Sequence, residues 1–172
     1  ICCGLGAAAA MDGICIATIM NGPTFKQEAS FGPLVKYEIR ADTVLRVDTL
    51  SDINAASPRI NMSGTYYAYV KNGASNARSL VFKPLYGNPT SSVEVPLQKG
   101  ANWVWWVEQN SFFYTVNPGT GHKIVRKLTL ARTNGQLTAT DRMWVQTQES
   151  MQGGFVGIDL TGTKLSYKAN EP

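Results

Sequence analysis

GTYYAYVKNGASNARSLVFKPLY, residues 64–86, sets two runs of aromatic and β-branched residues on either side of a polar break at Lys71-Asn72-Gly73. Such residues fit a pleated, half-buried surface and Asn-Gly is a turn signal, so the stretch reads as two strands joined by a turn. The same pattern extends in both directions. Upstream stand LVKYEIR (34–40) and TVLRVDTL (43–50). Downstream follow SSVEVPLQ (91–98), NWVWWVEQ (102–109), SFFYTVN (111–117), HKIVRKLTLAR (122–132), RMWVQTQ (142–148) and GFVGIDLTGTKLSYK (154–168). Tyr86-Gly87-Asn88-Pro89, Asn117-Pro118-Gly119 and Thr133-Asn134-Gly135 supply turn chemistry in the gaps.

Many short strands at this spacing predict an all-β protein, a two-sheet antiparallel β-sandwich. A jelly-roll-like arrangement fits better than an immunoglobulin one, because the strands outnumber seven and no Cys follows position 15. SDINAAS (51–57) is the best candidate for a short helix, with Ser51 able to cap. No repeat of 20–50 residues is evident, so a propeller or solenoid loses support. Residues 25–172 read as a single β-sandwich domain of ordinary length, and residues 1–24 as an apolar N-terminal arm without Lys or Arg. The arm holds only eleven residues before Asp12, well short of the ~20 that span a bilayer, and it lacks the basic start of a signal peptide.

The composition of the 172-residue chain is 44% hydrophobic and 16% charged, which argues for a folded core and against disorder. Sixteen Lys and Arg against twelve Asp and Glu leave +4, a mild attraction for anions. That excess is concentrated. HKIVRKLTLAR holds Lys123, Arg126, Lys127 and Arg132 and no acid, a stripe suited to phosphates, although strand alternation divides Lys123 and Lys127 from Arg126 and Arg132. Charges that protect a sheet edge are the commoner explanation.

Trp103, Trp105 and Trp106 form the other conspicuous group. Buried on both sides they would be core; on an open face they would make a subunit contact or a platform on which a sugar stacks. Catalysis finds no constellation. The acidic pair Asp48/Asp52 is one of many that dispersed carboxylates offer, and GLGAAA (4–9) lacks the strand and βαβ context of a dinucleotide fingerprint. Three Cys within the first fifteen residues and a distant His122 make no metal set. Their odd number points to reduced thiols and a reducing compartment. No enzyme, cofactor or metal is expected. Asn61-Met62-Ser63 is formally a glycosylation sequon.

SLVFKPLYGNP (79–89) and VEVPLQKGANW (93–103) resemble stretches of the small single-jelly-roll coat proteins of icosahedral satellite-type plant viruses. The resemblance implies a structural subunit that assembles with copies of itself into a virion in the cytoplasm and encloses RNA. Such coat proteins usually open with an Arg/Lys-rich arm, for which residues 1–24 have no counterpart. A carbohydrate-binding β-sandwich that uses the tryptophans is the alternative expectation.

Overall fold

The computed structural model describes residues 7–11, 13–18, 32–41, 43–61, 63–86, 91–98, 101–106, 110–118, 122–147, 151–159 and 163–169. The chain divides into two compact units, Ile1–Pro96 and Leu97–Pro172. Both are built of antiparallel strands, and the helical content among the described residues is one 3₁₀ turn, Ala74–Asn76. The all-β, antiparallel class read from the sequence is therefore what the structure shows.

The first unit carries β1 (Ala7–Met11), β2 (Ile14–Thr18), β3 (Gly32–Arg40), β4 (Thr43–Ile60), β5 (Tyr66–Asn72), β6 (Arg78–Pro84) and β7 (Val93–Pro96). They form one sheet in the order β1-β2-β3-β4-β5-β6-β7. The second unit carries β8 (Ala101–Trp106), β9 (Ser111–Val116), β10 (Ile124–Thr133) and β11 (Gln136–Gln146) in the order β11-β10-β9-β8. A separate ribbon pairs β12 (Met151–Ile158) with β13 (Leu165–Ala169). Every described strand thus lies beside its neighbour in sequence, a meander; the interleaved strand order of a jelly roll is not seen among the described strands.

One local expectation changes. Residues 51–57 are strand and not helix, because backbone pairing claims them from two sides: Ser51 opposes Leu34, while Ala55 opposes both Gly32 and Lys71. The apolar segment 1–24 contributes β1 and β2 to the sheet, and β2 pairs with β3 from Ile14↔Glu38 to Thr18↔Leu34. Gly13, at φ +77°, lies in the turn between them. A Cβ at Gly13 would stand 2.2 Å from the backbone oxygen of Ile39, so both dihedral and space demand glycine.

Strand alternation builds the first core. Ile16, Leu34, Ala55, Tyr67, Tyr69, Val81 and Leu85 form one buried cluster, with Leu50 and Ile60 packed against it. The Tyr67 and Tyr69 rings stack with centroids 6.2 Å apart. Each fully buried aliphatic side chain here contributes roughly 1.5–3 kcal/mol through removal from water. In line with Leu34, Lys36 turns toward the same face and is 8% exposed. A buried ammonium needs partners, and Lys36 has two: Glu38 and Asp48, each at 3.3 Å.

The second core centres on β9, whose six residues are all buried. Phe112 opposes Leu128 on one face; Phe113 opposes Lys127 on the other. Asn134 and Gly135, at φ +51° and +79°, make the two-residue hairpin turn between β10 and β11 that the sequence implies.

One sequence pattern occurs twice, with three matching hydrogen bonds. Ile-Asn-Met-Ser-Gly-Thr (60–65) joins β4 to β5, and Ile-Asp-Leu-Thr-Gly-Thr (158–163) joins β12 to β13. In the first, Asn61 Oδ1 accepts the N–H groups of Thr65 (2.8 Å) and Tyr66 (2.9 Å), and its own N–H donates to the Tyr66 carbonyl (3.1 Å). In the second, Asp159 Oδ1 accepts from Thr163 (2.8 Å) and Lys164 (2.7 Å), and its N–H donates to the Lys164 carbonyl (3.1 Å). Asn61 is fully buried and its Nδ2 donates to Ser63 Oγ (3.0 Å) and Thr65 Oγ1 (2.8 Å), so the folded sequon offers no free amide.

The β3–β4 turn is strained by comparison, since Arg40 opposes Thr43 and leaves Ala41 at φ +45°. Asn tolerates this left-handed region better than Ala. Ala41→Asn is expected to raise stability by about 0.5–1 kcal/mol, read as a higher urea midpoint at unchanged slope.

Candidate functional site

The two groups singled out by sequence both fall in the second unit. The backbone of Trp103, Trp105 and Trp106 lies in β8, where Trp105 opposes Phe113 and Trp106 opposes Phe112; the register slips between Asn102 and Val104, at Trp103. Their side chains lie outside the described residues. Cys2 and Cys3 also lie outside them, and Cys15 is a β2 backbone position opposite Tyr37.

The basic stripe lies along β10 and divides between its faces. Arg126 shares a face with Tyr114 and Asp141, drawn from three adjacent strands. Its Nε donates to both Asp141 oxygens at 3.0 Å, and the Tyr114 hydroxyl donates to Asp141 Oδ2 at 2.7 Å. The two charged side chains are 17% and 20% exposed, so this is a largely desolvated pair. The hydrogen bond to Asp141 strengthens the protonated guanidinium against the opposing effect of burial. Burial, then the hydrogen bond to Asp141, pushes the Tyr114 phenol above its ordinary value. Arg126 is thus a structural cation, and its charge is spent within the sheet.

Lys127 turns the other way. Its Nζ lies 5.3 Å from the centroid of the buried Phe113 ring, and Trp144 meets the same ring edge-on at 5.1 Å. Arg132 is exposed near the tip of the hairpin. Lys123 precedes β10, where its N–H donates to Thr147 Oγ1 (3.0 Å) and its carbonyl accepts from the Thr147 N–H (3.0 Å). His122 Nδ1 donates to the Thr147 carbonyl at 3.1 Å, since a carbonyl only accepts. These bonds close the open end of the hairpin.

Sequence reading overlooked Arg142. It is exposed and lies directly across from Lys127 on the same face. The signal was present: a two-residue turn at Asn134-Gly135 pairs residues outward from 133 with 136 to 127 with 142.

In the first unit the β3–β4 hairpin presents two unlike faces. One carries Lys36, Glu38, Arg46 and Asp48, with Arg46 Nε donating to Asp48 at 2.8 Å. The bond from Arg46 holds the Asp48 carboxyl below its usual range. The side chain of Asp52 lies outside the described residues. The opposite face pairs Tyr37 with Val47 and Ile39 with Val44. Val44 and Val47 are 51% and 55% exposed, and the neighbouring Leu45 is 61% exposed.

Among the described residues no group of three or more His, Cys, Asp or Glu is placed to hold a metal ion. Among them, too, no helix is long and apolar enough to cross a membrane. No family model, curated protein or solved structure matches the chain.

Proposed function

We propose that the protein is a structural, self-assembling subunit of the viral coat type, which works without catalysis and encloses RNA. The observation that carries this reading is the exposed apolar face of the β3–β4 hairpin. Val44, Leu45 and Val47 each leave more than half their surface in water, and the half-buried Tyr37 and Ile39 extend the patch across β3. Contiguous apolar surface of this kind marks a place where another macromolecule sits. The all-β architecture and the runs that resemble satellite-type coat proteins support a second copy as that macromolecule.

The test is particle size. The native chain is expected to elute from a sizing column as a large assembly with a nucleic-acid absorbance signature. The double substitution Val44→Asp, Val47→Asp is expected to yield a small species with an unchanged circular dichroism spectrum, because charge at the contact opposes burial. A native chain that sediments as a monomer at micromolar concentration, unaffected by the substitutions, would refute the proposal.

A further inference from the structure

We infer that the outer edge of β4, at residues 45–49, pairs antiparallel with the same edge of a second copy, about a two-fold axis through Val47. The kind of partner rests on the self-assembling reading; the site and its register rest on the following geometry. β3 lies along one edge of β4 between Thr43 and Ala55, whereas β5 takes up the other edge only from Ala55, opposite Lys71. Among the described residues, then, positions 43–50 have a strand on one side and none on the other. Thr43, Val44, Leu45, Arg46, Val47 and Thr49 are exposed, so this edge stands in solvent. Bare strand edges invite pairing, and sheets usually blunt them with Pro, Lys or short length. At the margin of the same sheet β7 is blunted in this way, being four residues long and ending in Pro96. Residues 43–50, TVLRVDTL, contain neither Pro nor Lys.

The occupant follows from the order of charges. Register shifts at Leu45 and Leu50 bound a regular run in which Arg46 opposes Glu38, Val47 opposes Tyr37 and Asp48 opposes Lys36. A two-fold axis through Val47 sets Arg46 opposite Asp48 of the second copy, and Asp48 opposite its Arg46. Across four strands the charged face then reads Lys36, Asp48, Arg46, Glu38, the first two from one copy and the last two from the other. The signs alternate throughout, and opposite charges facing each other favour a strand pair. Arg46 already donates to Asp48 of its own copy at 2.8 Å, and a guanidinium has donors enough for a second carboxylate. On the apolar face, Tyr37 and Val47 of one copy continue into Val47 and Tyr37 of the other. An axis at Arg46 or Asp48 would oppose like charges, and a shift by one residue would set a charge against Val47.

Disulfide trapping in the full chain tests the assignment, with diamide as oxidant and the parent chain as the control for its own three cysteines. Val47→Cys is expected to give a dimer bridged through position 47, identified by mass spectrometry of its peptides. Because position 43 does not face its own copy across the axis, Thr43→Cys is expected to bridge at least about tenfold more slowly. Leu45→Cys and Thr49→Cys are expected to bridge when mixed and not alone, which fixes the register. Arg46→Glu sets like charge against Asp48 of the second copy. Added to Val47→Cys, it is expected to slow bridging at least about fivefold while the circular dichroism spectrum stays unchanged.

A Val47→Cys rate no faster than that of Thr43→Cys, or bridging indifferent to Arg46→Glu, would overturn the assignment. So would Leu45→Cys or Thr49→Cys bridging alone as fast as in the mixture. Sizing of the unoxidised samples keeps the two proposals apart. A large assembly without the bridge at position 47 refutes the edge pairing and leaves the coat reading standing. A dimer bridged at position 47 that grows no further upholds the pairing and refutes the coat reading.

Discussion

Replacing Asp141 with alanine is expected to cost about 2–4 kcal/mol of folding stability, the scale of breaking a largely desolvated ion pair by removal of one partner. The loss strands two groups at once. Arg126 keeps its charge at 17% exposure without its carboxylate, and the Tyr114 hydroxyl loses its acceptor in a fully buried residue. Arg126→Met with Asp141→Leu should recover much of the loss, because apolar groups of similar volume need no partners. Urea titrations of the single and double variants give the coupling directly.

The same network makes a prediction about alkali. Tyr114 holds its proton more tightly folded than unfolded, through burial and then its bond to Asp141. Its contribution is complete below the ordinary phenol range near pH ~10 and is lost as pH rises above it, when the unfolded chain releases the proton first. Tyr114→Phe should therefore flatten the fall in stability above pH ~10, at the expense of one hydrogen bond at neutral pH.

Asn61→Ala is the second large effect, expected at about 3 kcal/mol. Two backbone N–H groups lose their acceptor and two hydroxyls lose a donor, in a residue with no exposed surface. Asp159→Ala removes the matching acceptor from the matching loop, where the bonded groups are open to water, and is expected to cost only about 1 kcal/mol. Thermal melts of the two variants compare a buried with an open pair of the same backbone-to-side-chain bonds. Equal losses would show that the bonds themselves, and not their shielding, set the penalty.

The sequence announces some of this structure and conceals the rest for physical reasons. Strands β3, β5, β6, β9 and β10 were legible because Tyr, Val, Ile and Phe both favour the pleat and fill the core. The first half of β11 was not, because Gln136–Asp141 is polar and mostly exposed; it is a strand by virtue of its Asn134-Gly135 turn and its pairing with β10. SDINAAS was misread since a cap and a first-turn acid are local signals, whereas β3 and β5 compete for the same backbone. Gly13, in the turn between β1 and β2, was a turn signal hidden by the monotony of the alanines before it.

The candidate site was half visible. Alternation correctly set Arg126 and Lys127 on opposite faces, but composition cannot show that Asp141 is spent on Arg126. That pairing takes Arg126 out of the basic stripe, and it depends on a register that only the hairpin turn fixes. The repeated loop escaped notice because its two copies stand 98 positions apart and share a six-residue pattern, not a whole unit.

The meander order of the strands bears on how such a chain is made. Each hairpin closes between segments adjacent in sequence, so little loop entropy is lost at any step, and neither sheet has to await a distant strand. Hairpins of this sort form in about 1–10 μs, whereas synthesis delivers only about 5–20 residues each second. The sheet of Ile1–Pro96 has all seven of its strands in hand before Leu97 is added. It can therefore pair on the ribosome, strand by strand, while the second unit is still being translated.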